Sequence, residues 1–189
     1  MIGLSCLIVA VVYRLWQRHI AESKVYSLIA GSTEVSLRSF TISGQQRRVV
    51  CGAPSAIRYF ESAMRQAEPR NGGGGLPYEL SLEFDDGTLY DVGMSVTTVP
   101  ALFLCMPGGL EEGWATHELK FASPMPKKVA MLFAFLDLPW EELPVGVTMV
   151  LEEKNGVVKT SFVTEGRGEW SESEIFGSGR DGYWRLKGR

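Results

Sequence analysis

Two neighbouring stretches decide the fold: PSAIRYFESAMRQA (residues 54–67) and YELSLEFDDGTLYDVGMSV (residues 78–96). In the first, Ala56, Ile57, Phe60, Ala63, Met64 and Ala67 recur every three or four residues, the spacing of one apolar stripe on a helix. Pro54 suits the first turn, where its missing N–H is no loss, and Glu61 and Arg65 stand four apart in the favourable order. Pro69 and the run Asn71-Gly72-Gly73-Gly74-Gly75 end the helix, because both residue types disfavour its continuation. In the second stretch the period falls to two. Tyr78, Leu80, Leu82 and Phe84 alternate with Glu79, Ser81 and Glu83, and Asp85-Asp86-Gly87 is a turn signal. Tyr90, Val92, Met94 and Val96 then share one side of a return strand. A helix laid on the apolar side of this hairpin buries both stripes.

Working outward, residues 34–42 (EVSLRSFTI) read as a strand and Arg47 to Cys51 as its partner across the turn Ser43-Gly44-Gln45-Gln46. ALFLCM (residues 101–106) reads as another strand, and residues 117–121 alternate briefly. KKVAMLFAFLDL (residues 127–138) predicts a helix too apolar for a surface one and too short to span a bilayer. Asn155-Gly156 between two β-rich runs, 145–151 and 157–163, predicts a tight hairpin. The order helix, Leu-Pro, strand, turn, strand thus occurs twice, from Pro54 and from Pro126, with little identity between the copies. The fold class expected is α+β: an N-terminal hydrophobic helix, then antiparallel hairpins with one or two packed helices. The organisation expected is an anchor over residues 1–20 and an α+β unit over 34–106. Residues 116–164 form a second helix-hairpin unit or continue the first, and 165–189 form a Gly-rich tail in which residues 182–186 could add a last strand.

Residues 1–13 (MIGLSCLIVAVVY) carry no charge and are followed by Arg14-Leu15-Trp16-Gln17-Arg18-His19. Leu4, Leu7, Ile8, Val9, Val11, Val12 and Trp16 are the residues expected to anchor the chain in a membrane, with lipid as partner. A cleaved signal would place its positive charge before the apolar run, which this sequence does not. Thirteen residues make roughly 20 Å of helix against about 30 Å of hydrocarbon, so a single crossing needs Leu15 and Trp16 with Arg14 snorkelling. A start upstream of Met1 would lengthen the run. The competing reading is a core helix of a soluble domain. Arg14, Arg18 and Lys24 on the carboxyl side predict a single pass with the bulk of the chain cytoplasmic.

At 189 residues, 45% hydrophobic and 22% charged, the composition is globular, and a net charge of −3 with scattered Lys and Arg gives no electrostatic footprint for nucleic acid. No metal or cofactor is expected: only His19 and His117 exist, no Cys-x-x-Cys occurs, and the glycine run leads into a strand without the lysine of a phosphate loop. Cys6, Cys51 and Cys105 are too scattered for a disulfide framework; Cys51 with Cys105 is the one pairing to weigh, against a reading of both as buried hydrophobes. No complete catalytic constellation is present. The reading reached is a membrane-anchored, non-enzymatic interaction protein with an unidentified protein partner. The alternatives are a small hydrolase using a cysteine or carboxylate beside His117, or a soluble immunity- or inhibitor-type binding module. Trp114, Trp140, Trp170 and Trp184 are the aromatic side chains proposed for interaction, with a core or docking role as the competing explanation for each.

Overall fold

The computed structural model describes residues 2–32, 34–70, 78–98, 101–107, 114–138, 146–164 and 168–176. The glycine run at 71–75, the 182–186 segment, Trp140 and Trp184 lie outside them. In chain order the elements are α1 (Ile2–Ile29), β1 (Leu37–Ser43), β2 (Arg47–Cys51), α2 (Pro54–Arg65), β3 (Glu68–Arg70), β4 (Tyr78–Phe84) and β5 (Leu89–Thr98). They continue as β6 (Ala101–Pro107), β7 (Trp114–Glu118), α3 (Lys127–Asp137), β8 (Val147–Lys154), β9 (Val157–Thr164), β10 (Gly168–Trp170) and α4 (Glu172–Phe176).

The strands form one ten-stranded sheet in the order β10-β9-β8-β2-β1-β4-β5-β6-β7-β3. All pairings are antiparallel except β2 with β8, which are parallel and matched from Arg47↔Val147 to Cys51↔Leu151. The fold is α+β, with an N-terminal helix before a mixed, mostly antiparallel sheet. The three residues of β3 end one edge of the sheet. Pro69 within it cannot donate to a further strand, and Glu68 and Arg70 are charged, which blunts the edge.

The period-two pattern puts one face of the sheet in the core. Phe40 pairs with Leu82 and Cys51, Leu80 with Val92, Met94 with Leu104, and Met149 with Phe162. All of these are buried, and helices α2, α3 and α4 and the end of α1 cover them. A run of rings crosses this layer. Phe40 stacks on Phe60 at 4.5 Å, Phe121 meets Phe60 at 6.0 Å and Phe133 at 5.2 Å, and Phe162 meets Phe135 and Phe176 at 5.6 Å each. Aromatic pairs at such spacings add about 0.5–1.5 kcal/mol each beyond the area they bury. The opposite face carries Ser39, Thr41, Ser81, Asp91, Thr148 and Ser161, exposed or half-buried. Towards β6 and β7 that face closes over, and Ser95, Cys105 and Thr116 are buried.

Long-range polar contacts fasten the helices. No side chain of its own caps the start of α2; Glu153 on β8 accepts from the Ser55 N–H at 2.8 Å instead, which holds the Glu153 carboxyl below its usual range. At the other end of the layer, the Arg47 guanidinium donates to the carbonyls of Leu136 and Leu138, the last turn of α3. The Tyr78 hydroxyl joins the Leu136 carbonyl at 2.8 Å. Cationic donors suit a helix carboxyl end, where free carbonyls and the negative pole coincide.

The two helix-then-hairpin stretches are not copies. Strands β4 and β8 run in the same direction, and both helices lie on the same face of the sheet. Yet β5 lies beyond β4 on one side and β9 beyond β8 on the other. The two units are therefore of opposite hand, and no rotation superposes them.

Candidate functional site

Helix α1 is continuous over 28 residues, about 42 Å, and has two environments. From Cys6 to His19 every residue is exposed. Leu7, Ile8, Val9, Val11, Val12, Tyr13, Leu15 and Trp16 are each between 50% and 67% exposed. Beyond Ile20 the helix joins the core, where Ala21, Val25 and Leu28 are 0% exposed against α2 and β5. Residues 21–29 are thus both helix and core. Spacings of four and three place the three buried residues on one side, while Ser23 and Tyr26 face out. The helix ends at Gly31, whose φ of +78° permits a closing motif: Ser32 N–H donates to the Ser27 carbonyl at 2.8 Å and Gly31 N–H to that of Leu28 at 3.1 Å.

Polar contacts lock the lower half in place. Lys24 donates to Asp86 and, at 3.0 Å, to Thr88 Oγ1, and its Nζ lies 5.4 Å from the centre of the Phe84 ring. The bond from Lys24 and those from Thr88 hold the Asp86 carboxyl down to about 2. Glu22 accepts from Arg18 Nε at 2.9 Å and from the Tyr90 hydroxyl at 3.3 Å. Burial, then the charge of Glu22, pushes Tyr90 up to about 12. At the boundary between the two halves Tyr13 and Trp16 rings lie 6.1 Å apart, with Arg14 and Arg18 exposed beside them.

All the named anchor residues lie on α1; Leu7, Ile8, Val9, Val11, Val12 and Trp16 are exposed there, whereas the Leu4 side chain is outside the described residues. Among the described residues no helix is long and apolar enough to cross a membrane. The single crossing expected over residues 1–20 is therefore unsupported. The apolar run ends at Tyr13, and Arg14, Gln17, Arg18 and His19 make the next turns polar. The orientation inferred from the flanking arginines presupposes such a crossing.

The tryptophans separate. Trp170 on β10 is half-buried opposite Phe162, and its Nε1 donates to Thr164 Oγ1 at 3.1 Å, so it docks the edge strand onto the core. Trp114 sits on β7 opposite Pro107, with its side chain outside the described residues.

The nucleophile arrangement is not assembled. Cys105 pairs with Thr116, and its Sγ lies 3.8 Å from Thr116 Oγ1, whereas His117 pairs with Leu104 on the opposite face of the sheet. Among the described residues His117 Nδ1 is buried without a hydrogen-bond partner, and burial lowers its pKa. Cys51 lies on the helix-covered face, where burial pushes its thiol up to about 11. Four strand spacings and the thickness of the sheet separate it from Cys105, and both thiols are free. Among the carboxylates, Glu83 is held by Arg38 and Ser39, Asp86 by Lys24, and Glu153 by the α2 N-terminus. Among the described residues no group of three metal-ligating side chains occurs.

The class these features define is an α+β domain with a half-exposed apolar helix. No family model, no curated protein and no solved structure matches the chain.

Proposed function

We propose that the chain is a membrane-tethered, non-enzymatic interaction protein whose tether is the exposed half of α1. The observation that carries this reading is the change along one unbroken helix, from large apolar side chains at least half exposed to fully buried ones. Neighbouring exposed apolar side chains on this scale mark a protein or membrane interaction site.

Its shape favours lipid over a protein groove as the occupant. At about 100° per residue Leu7, Ile8, Val9, Val11 and Val12 cover an arc of about 200°, and Cys6, Ala10 and Tyr13 occupy the rest of the circumference, leaving no charged side for solvent. A single groove covers one side; hydrocarbon covers all of them. Tyr13 and Trp16 close the run with amphipathic rings, as at a membrane–water boundary. The apolar turns, about 20 Å long, suit insertion from one side more than a crossing. The α+β body, with its open Ser/Thr-bearing sheet face, then meets a protein partner from the membrane surface.

Flotation with phosphatidylcholine vesicles tests the tether. The full chain is expected to float with the vesicles, and Leu7→Asp/Val11→Asp to stay in the aqueous layer with an unchanged circular dichroism spectrum. A full chain that remains aqueous and folded overturns the proposal and returns the soluble binding-module reading.

A further inference from the structure

We infer that the tether prefers bilayers carrying anionic phospholipid, held through Arg14 and Arg18. This deepens the proposed function and rests on it. No Asp or Glu precedes Glu22 in the chain, while Arg14 and Arg18 stand four residues apart and share one side of α1, flanking Trp16. Both are exposed, on the turns that follow the apolar run. With Leu7 to Val12 in hydrocarbon and Trp16 at the boundary, these two guanidiniums stand at headgroup depth.

The Arg18 side chain is 61% exposed and meets Glu22 through Nε. The same Glu22 oxygen, Oε1, also accepts from the Tyr90 hydroxyl on β5, so the carboxylate is tied to the body and Arg18 reaches down to it. The planar guanidinium has five donors, and its fork matches a phosphate as well as a carboxylate. Arg14 has no carboxylate within the preceding or following turn of α1.

Charge on the rest of the molecule sharpens the argument. The chain carries −3 overall, so the part beyond these two arginines is more acidic still. An anionic surface therefore attracts the α1 boundary and repels the body. At physiological salt both effects fade over about 8 Å, which leaves the boundary residues in command.

The test uses the full-length chain and vesicles of pure phosphatidylcholine or of phosphatidylcholine with about a third phosphatidylserine. Partitioning is expected to be stronger on the anionic vesicles by roughly fivefold per arginine, or about twenty-five-fold in all, at physiological salt. The advantage should collapse in 1 M salt. Arg14→Gln/Arg18→Gln should keep the binding to phosphatidylcholine and lose the anionic advantage; both residues are exposed, so a normal melting curve is expected. Equal, salt-insensitive binding to the two vesicles overturns the headgroup preference and leaves the tether standing. A preference that survives in the double variant also overturns it, because the attraction then lies elsewhere. Failure to bind either vesicle overturns the tether itself and this inference with it.

Discussion

Replacing Leu28 by Ala separates the two halves of α1 more sharply than any truncation. Leu28 is 0% exposed, next to the last residue of α1, in the layer between α2 and β5. A fully buried Leu→Ala change costs the transfer energy of the lost methyl groups plus the cavity left behind, about 2.7–5 kcal/mol. The site belongs to a terminal helix that can settle slightly toward α2, so the lower end, about 3 kcal/mol, is expected. At about 2–4 °C per kcal/mol for a chain of this size, the midpoint of thermal unfolding should fall by about 6–12 °C. Leu7→Ala, at a position 65% exposed, should change stability by less than about 0.5 kcal/mol. Both variants are compared with the parent by thermal and by urea denaturation in dilute neutral detergent, followed by tryptophan fluorescence. The Leu28 variant should lower the midpoint without altering the slope. A shift below about 1 °C for Leu28→Ala would refute the packing of the lower half. An equal loss for Leu7→Ala would show that the upper half also rests on the body.

Arg47→Ala should cost about 1–3 kcal/mol, because two carbonyls at the end of α3 lose a charged donor; Arg47→Lys should restore only part, lacking the fork. Tyr78→Phe should cost about 1 kcal/mol and be non-additive with Arg47→Ala in urea midpoints, since both side chains serve the Leu136 carbonyl. The Asp86 carboxyl is depressed to about 2 by Lys24 and Thr88, so its contribution is present above the unfolded carboxylate value near 3.9 and fades as the pH falls through about 2. Because Asp86 is 56% exposed, the effect is a small and salt-sensitive part of the acid limb, and Asp86→Asn should remove it from an unfolding-versus-pH curve. Maleimide at neutral pH should label Cys6 at once and reach Cys51 and Cys105 only in urea, read by peptide mass; rapid labelling of Cys105 in the folded chain would reopen the hydrolase reading.

What could be read locally was legible, and what depends on distant neighbours was not. The stripe through Ala56, Phe60 and Met64 forms α2, and the alternation from Tyr78 to Phe84 forms β4, because side-chain periodicity is a local property. Asn155 and Gly156, at φ of 54° and 74°, make the hairpin their types favour. The parallel junction of β2 with β8 was not legible. Val49 and Val147 alternate alike whether their neighbour runs parallel or antiparallel, and nearly a hundred residues separate the two strands. The strand at Pro69 was read as a helix stop, which it also is; its place at the edge comes from β7, far along the chain. In α1 the apolar run was plain. Ala21, Val25 and Leu28 were not, because three apolar residues among Glu22, Ser23 and Lys24 make a narrow stripe whose burial depends on α2. Trp170 looked like a surface aromatic in a glycine-rich tail until Phe162 and Thr164 were beside it.

The continuity of α1 has a mechanical consequence for the proposed tether. No Gly or Pro interrupts the helix between residue 4 and Ile29, and the end at Gly31 is closed by its own hydrogen bonds. A flexible glycine–serine linker would let the body sample every attitude towards the membrane. A helix gripped at Lys24 by Asp86 and at Glu22 by Tyr90 does not, because each added residue turns its far end by about 100°. The side of α1 that carries Arg14 and Arg18 is therefore fixed relative to the sheet, and a bilayer that holds those two arginines also sets which way the open Ser/Thr face looks. In the proposed function tether and interaction surface are in this sense one device, coupled by the roughly two and a half turns of α1 after Ile20.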